Sequence, residues 1–458
     1  MLIPRIVVAA PASGAGKTTV AVGLMAALRR SGHTVAGFKV GPDYIDPGFH
    51  AVATGRPGRN LDPMLSGEER VAPLFAHGLA AYGSAPAADI AVVEGVMGLY
   101  DGALGTEGFA STAHVAKLLQ APVVLVVDAS AAGRSVGAVV QGFVAFDTEM
   151  RIVGVILNKV GSDRHEAEVR AGVAPTGVPV LGVLRRDPRL TVPSRHLGLV
   201  PADEQRAQAS TAVDAAAELV KAGVDLEAFV AAARSAVDLD VEAWDPAAEV
   251  TPAEERRPVI AVAGGPVFSF RYAETAELLT AAGADVATFD PLQDSLPEAT
   301  AALYLGGGFP EMHAEALSSN TRLRKQVADA VAGGLPVIAE CAGLLYLCRE
   351  LDGHPMTGVL PATARMTDKL TLGYRTAVAA STTAFFDEGR RVRGHEFHRT
   401  AVEYDSDDSP AWYLPGGVLE GITRPSVHAS YLHLHWTATP DVPARLVAAA
   451  RIHAGLEK

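Results

Sequence analysis

Only two of the 458 residues are cysteine, Cys341 and Cys348, and they stand seven positions apart in a helical pattern. Two helical turns separate them by about 10 Å along the axis, beyond the reach of a disulfide. A disulfide scaffold is therefore excluded, and a reducing compartment fits. Long apolar runs are lacking as well: none approaches the roughly 20 residues that span a bilayer. Met1 leads directly into a short strand pattern with no charged and apolar leader, so the expectation is a cytoplasmic protein with no membrane partner. Positive charge is also scarce. With 39 basic against 52 acidic residues the formal net charge is -13, which argues against a nucleic-acid partner. A small anionic ligand then needs its own focused site.

What the chain does have is apolar content, 49% over 458 residues, ample for two cores and long for one. Residues 1–237 alternate short Val/Ile/Ala runs with helical segments, the strands falling at Ile6–Ala9, Thr34–Lys39, Ile90–Val93, Val123–Val127, Ile152–Leu157 and Val180–Val183. This alternation predicts a doubly wound α/β domain with a mostly parallel sheet and ligands at the strand carboxyl ends. Residues 238–257 turn acidic, carry Pro246 and Pro252 and lose their period, which predicts a linker. A second α/β domain is expected over 258–458, with strands at Val259–Ala263, Ala301–Leu305 and Pro336–Ala339.

The first domain is organised around APASGAGKTT, Ala10 to Thr19, between an apolar strand and a helical pattern. Strand, Gly-rich loop and helix in that order make a phosphate cradle: backbone N–H groups around Ser13, Gly14 and Gly16 face a triphosphate, with Thr19 in the first helical turn. Lys17 reaches the outer phosphates, and the Thr18 hydroxyl is placed to hold Mg²⁺. The first glycine of the usual G-x-x-x-x-G-K-[ST] spacing is replaced by Pro11. After the second strand, KVGPDYIDPGFH (Lys39–His50) is stiffened by Pro42 and Pro47, so that Asp43 and Asp46 either face the nucleotide's metal ion or simply form turns. Glu94 ends the third strand, where a carboxylate in a phosphate-loop protein can hold Mg²⁺. It is a stronger candidate than Asp101 on the following loop. Asn158, at the end of Ile152–Leu157, is placed to meet a nucleobase edge, or is a turn residue.

In the second domain VIAECAGLLYL, Val337–Leu347, reads as strand, sharp bend and helix with Cys341 at the bend. A thiol at a helix N-terminus is expected to have its thiolate favoured by the helix dipole, as a nucleophile requires. The arrangement is that of a nucleophile elbow with Ala339 in the place of the leading glycine. LGGGFPEMH (Leu305–His313) offers Gly307 and Gly308 as an oxyanion hole, and His433 in VHASYLHLHW is a base for Cys341. His395 and His398 in GHEFH are spaced by three rather than the four of a helical zinc motif, and read as substrate-facing or core residues.

Taken in order, SGAGKTT, KVGPDYIDP, VVEGVMGLYDG, LGGGFPE, AECAGLLYL, GHEFH and ASYLHLH resemble one family over essentially the whole chain: the glutamine-dependent cobyrinic acid and hydrogenobyrinic acid a,c-diamide synthases. Such enzymes are similar to dethiobiotin synthetase in their first half and to class I glutamine amidotransferases in their second. The resemblance implies a ligase that uses ATP, Mg²⁺ and glutamine to amidate a corrinoid polycarboxylate in cobalamin biosynthesis, and it leaves a homodimer open. It assigns ATP and metal to Lys17, Thr18, Asp43, Asp46 and Glu94. Glutamine hydrolysis falls to Cys341 with His433. The loops holding Tyr44, Asp46 and Asp101 are expected to line the acceptor site, with ammonia passing between domains by a closed path. The Glu usually found two residues after the catalytic His is here His435, which leaves the third triad member open. Three alternatives stand beside this reading: a cobyric acid synthase, a nickel-tetrapyrrole diamide synthase, and a P-loop ATPase whose second domain is a non-catalytic interaction module.

Overall fold

Short runs of β-branched and small apolar residues become fully buried strands in both halves of the chain. The computed structural model describes residues 3–187, 194–195, 198–251, 256–405 and 408–457. Contacts divide the chain into two compact units, Met1–Trp244 and Asp245–Lys458.

In the first unit the strands are β1 (Arg5–Ala9), β2 (Val35–Val40), β3 (Arg59–Leu61), β4 (Ile90–Glu94), β5 (Val123–Asp128), β6 (Ile152–Val160) and β7 (Val180–Arg185). They form one sheet in the order β3-β2-β4-β1-β5-β6-β7, and every pairing in it is parallel. All carboxyl ends therefore open on one edge of the sheet. Two helices carry site residues: α1 (Lys17–Arg30) follows β1, and α2 (Asp46–Thr54) follows β2. β1 and β4 show no polar face because both faces are covered. Each fully buried Val, Leu or Ile contributes about 1.5–3 kcal/mol. The three-residue β3 is too short to leave a sequence period and was not anticipated.

Part of the stretch read as linker packs on this first unit. Trp244 is buried, its ring meets the His77 imidazole edge-on at 5.0 Å, and its amide donates to the Pro73 carbonyl at 3.0 Å. A short helix, Pro246–Glu249, follows. Pro252 lies outside the described residues.

The second unit contains β8 (Val259–Ala263), β9 (Asp285–Phe289), β10 (Thr300–Leu305), β11 (Val337–Glu340), α3 (Ala342–Leu347), β12 (Ala362–Ala379), β13 (Arg391–Tyr404), β14 (Ile422–Arg424), β15 (Val427–Ser430) and β16 (His433–Leu434). A six-stranded sheet runs β9-β8-β10-β11-β15-β14, parallel except for the antiparallel β14 edge. A second sheet is built on the long antiparallel hairpin β12–β13, extended by β16. That hairpin carries many polar, half-exposed residues, so an apolar-run reading passes over it.

Candidate functional site

The phosphate loop closes on Gly16, whose φ of 90° lies in the left-handed region at the N-cap of α1. A Cβ there would stand 2.3 Å from Asn158 Nδ2, so both backbone and space demand glycine. Asn158 Nδ2 donates to the Ala15 carbonyl at 2.9 Å while its Oδ1 accepts the Lys159 amide at 2.9 Å. Lys159 Nζ in turn bonds the Gly14 carbonyl at 2.9 Å and Asp128 at 2.7 Å. The end of β6 is thus a brace for the loop. Asn158, expected at a nucleobase edge, has both ends of its amide engaged with backbone instead. Ser13 and Gly14 are exposed on the loop and Thr19 is half-buried on α1.

Beside the loop lies a buried cluster of charge. Thr18 Oγ1 bonds Glu94 Oε1 at 2.5 Å and approaches Asp46 Oδ2 at 3.4 Å. Lys39 Nζ donates to Asp46 Oδ2 at 2.5 Å, Glu94 Oε1 at 2.9 Å and the Gly95 carbonyl at 3.0 Å. His50 Nε2 meets Glu94 Oε2 at 2.7 Å. Strand register explains the core of this arrangement, since Lys39 on β2 sits opposite Glu94 on β4. Burial alone would lower Lys39, but the Asp46 and Glu94 carboxylates hold its ammonium above the ordinary range. Against burial, Lys39 and the His50 bond hold Glu94 below the usual carboxylate range, so it is the standing anion. Asp46 is pushed up by burial and by neighbouring Asp43 and Glu94. Lys17 is lowered by burial first and by the Lys39 charge second.

Asp43 does not join this cluster through its capping oxygen. Its Oδ1 accepts the amides of Ile45 and Asp46 at 2.7 and 3.0 Å, a turn at the start of α2. Asn60 Nδ2 pins the same loop through the Gly41 and Asp43 carbonyls, each at 2.7 Å. Tyr44 is buried in that loop, and exposed Asp101 accepts the Gly98 amide at 3.0 Å. The oxygens of Thr18, Asp46 and Glu94 are the hard donors that Mg²⁺ takes. Lys39 and His50 were passed over as functional residues in sequence. For Lys39 the signal is a lone lysine inside the otherwise apolar run VAGFKV, where it is 2% exposed.

In the second unit Cys341 stands at the bend between β11 and α3 with φ 49°, a conformation a non-glycine residue holds only under constraint. The backbone amides of Gly308 and Ala342 face its sulphur and favour the thiolate, but burial outweighs them and pushes the thiol well up. The expected dipole activation is therefore overridden: α3 is six residues long and the thiol is 2% exposed. Gly307 packs against His433, for a Cβ there would lie 2.2 Å from its Cε1. The Gly307 N–H bonds the Phe270 carbonyl at 3.3 Å, and the two amides meeting the Cys341 sulphur are those of Gly308 and Ala342. A Cβ at Gly308 would fall 1.7 Å from the Val267 carbonyl oxygen.

His433 on β16 pairs across the sheet with His395 on β13. Burial, then the nearby His395 and His398, push it down to about 3, so it rests as neutral imidazole. Its Nδ1 lies 3.9 Å from Glu340 Oε2, an oxygen that also accepts the Tyr304 hydroxyl at 3.1 Å. Glu340 went unnoticed in sequence although it is the acidic end of the apolar run VIAE. His435 takes another direction: its Nδ1 meets Thr437 Oγ1 at 2.8 Å and its Nε2 lies 4.0 Å from Glu274 Oε2. His398 stacks on Tyr431 at 3.7 Å and His395 is buried. Cys341 and Cys348 are both free thiols.

Residues 6–200 match the CobQ/CobB/MinD/ParA nucleotide binding domain, and residues 259–441 match the CobB/CobQ-like glutamine amidotransferase domain. Over 464 residues the chain is 57% identical to the hydrogenobyrinate a,c-diamide synthase of Thermobifida fusca, covering 98% of this chain and 97% of that protein. It is 56% identical to the synthase of the same name from Streptomyces coelicolor, with 98% of each covered. The cobyrinate a,c-diamide synthase of a Synechococcus species is 41% identical over 95% of this chain and 96% of its own length. With both domains present in order and identity sustained from end to end, the chain belongs to the hydrogenobyrinate and cobyrinate a,c-diamide synthase family.

Proposed function

We propose that this chain amidates the a and c acetate carboxylates of hydrogenobyrinic acid, using ATP for activation and glutamine as the nitrogen source. The metal-free acceptor is favoured over the cobalt-bearing one by the higher identity to hydrogenobyrinate synthases, 57% against 41%. The observation that carries the two-site reading is the pairing, on one chain, of a phosphate loop facing Thr18, Asp46 and Glu94 with an elbow thiol facing two backbone amides.

A carboxylate is a poor electrophile, so the acceptor must first become an acyl phosphate. Backbone amides of the loop with Lys17 hold the phosphates, and the brace from Asn158 fixes the loop that presents them. Thr18, Asp46 and Glu94 would hold Mg²⁺, whose charge offsets that of the phosphates. Lys39, pinned between two carboxylates, offsets their charge at the carboxyl end of β2 and fixes Asp46 and Glu94 beside Thr18. Tyr44, Asp46 and Asp101 belong to the loops that would line the acceptor. In the second unit Cys341 gives its proton to His433, and its sulphur attacks the glutamine side-chain amide. The carbonyl oxygen is received by the Gly308 and Ala342 amides. The departing ammonia takes the proton from His433, and water then frees glutamate from the thioester.

Product mass spectrometry with ATP, Mg²⁺, glutamine and hydrogenobyrinic acid tests the reading. Two amides per ring are expected, with the other carboxylates untouched. Four would indicate a cobyric acid synthase, and no change on any tetrapyrrole would reject the assignment.

A further inference from the structure

The position two residues after the base, where class I amidotransferases carry their acid, is His435 here, and it faces Thr437 and Glu274. An acid does lie next to the base, but on another strand. Glu340 ends β11, one residue before the nucleophile, and is 4% exposed. Its Oε2 is 3.9 Å from His433 Nδ1, and the carboxylate is faced by the Tyr304 hydroxyl at 3.1 Å, the Leu434 amide and the Trp436 indole. With Nδ1 toward Glu340 and Cε1 against Gly307, the ring's Nε2 is the nitrogen left to serve the thiol.

We propose that Glu340 is the positioning acid of the glutaminase, replacing the missing triad member from the nucleophile's own strand. This rests on the assignment of Cys341 and His433 to glutamine hydrolysis. Glu340 takes no proton in the reaction: the Cys341 proton passes to His433 Nε2, Nδ1 keeps its own, and the carboxylate stabilises the resulting imidazolium. Facing Glu340 are His433 and Tyr304; the Cys341 thiol is faced by Glu311 as well as by Glu340, and His395 and His398 face His433 in turn. A carboxylate beside Cys341 alone would oppose thiolate formation, so its presence is useful only through the imidazole. Burial pushes Glu340 up to about 8, so the resting pair is neutral at acid pH, and glutaminase activity rises as Glu340 ionises.

The test is glutaminase and ammonia-dependent synthesis measured side by side across pH. Glu340→Gln should lower glutamine-dependent kcat roughly 10²-fold, leave glutamine KM and ammonium-supported synthesis near wild type, and abolish the rise of activity with pH. Glu340→Asp, which keeps the carboxylate, should recover part of the rate. Tyr304→Phe removes only a donor to the carboxylate and should move the rise to higher pH. Wild-type kcat and pH profile in Glu340→Gln would overturn the proposal, as would the same loss appearing in Glu274→Gln instead. An active Cys341→Ala enzyme with glutamine would reject the underlying assignment, whereas an inactive Cys341→Ala beside an unaltered Glu340→Gln rejects only the role of Glu340.

Discussion

The two units present their chemistry at the carboxyl ends of parallel strands, yet they treat charge in opposite ways. Around the phosphate loop, buried Lys39, Asp46 and Glu94 stay charged or share charge because each sits within 2.9 Å of a partner. Around Cys341, burial suppresses charge: the thiol is pushed up, His433 down to about 3 and Glu340 up to about 8. The first arrangement suits a site that meets a polyanion and has its field ready in advance. The second suits a nucleophile that must stay inert until an amide carbonyl arrives. The same architecture thus supports both a charged anvil for phosphoryl transfer and a neutral trap for acyl transfer.

The contrast breaks most sharply at Cys341. Replacing it with alanine should lower glutamine-supported amidation by on the order of 10⁴-fold or more, while ammonium salt still supports synthesis; loss of both in folded protein would mean the sites are not separable. In the other unit Glu94→Gln should suppress synthesis with either nitrogen source by about 10²–10³-fold, with glutamine hydrolysis kept. Asp46→Asn should be more damaging than Asp43→Asn, since only Asp46 bonds Lys39; equal losses in steady-state rate would return Asp43 to the site.

Stability offers a subtler discriminator. Lys39→Met leaves two buried carboxylates without their cation, which should cost about 3–5 kcal/mol in urea unfolding. Adding Glu94→Gln should recover part of that loss, and strictly additive effects would show that the pair is not coupled. In the second unit Glu340 and Glu420 have folded values of about 8 and about 7 against 4.5 in the unfolded chain. The folded state keeps protons that the unfolded chain gives up, so stability falls as pH rises from 4.5 toward those values. His433 and His428, at about 3 against 6.5, act oppositely and remove stability as pH falls below 6.5. In the first unit, depressed Glu94 contributes stability that is lost only on acidification, and among the described residues Asp46 is the one carboxylate pushed up, against two in the second unit. Hydrogen exchange should therefore show protection of the second unit declining above pH 6.5 more than that of the first. The smallest effect is expected at Cys348, whose thiol bonds the Leu344 carbonyl: Cys348→Ala should cost about 1 kcal/mol and leave both activities unchanged.

How much of this could be read in advance divides along physical lines. Strands such as Ile6–Ala9 and Val259–Ala263 were legible because a strand covered on both faces is continuously apolar. The hairpin β12–β13 was not, because its stability comes from cross-strand pairing of polar, half-exposed residues. Lys17, Thr18, Glu94 and Cys341 stand out as candidates through local patterns of glycine and strand end. Lys39 and Glu340 did not, because their partners lie 55 and 93 positions away in sequence and are brought near only by sheet register and by β16. Gly307 was read as an oxyanion donor because a glycine run shows where amides are exposed, not which are already bonded to a neighbour such as Phe270.

The Lys39–Glu94 contact also has a bearing on how the sheet assembles. β2 and β4 are short and nearly uniform in their apolar side chains, so hydrophobic burial alone discriminates weakly between alignments shifted by two residues, which keep the same faces inward. Any such shift would part the Lys39 ammonium from the Glu94 carboxylate, leaving Lys39 with Asp46 and Glu94 with its His50 and Thr18 partners, a poorer compensation of buried charge. The pair therefore acts as an assembly key: strands that close in the wrong alignment are rejected during folding. Loss of either charge would weaken this discrimination between alignments, whereas exchanging the two together would keep it.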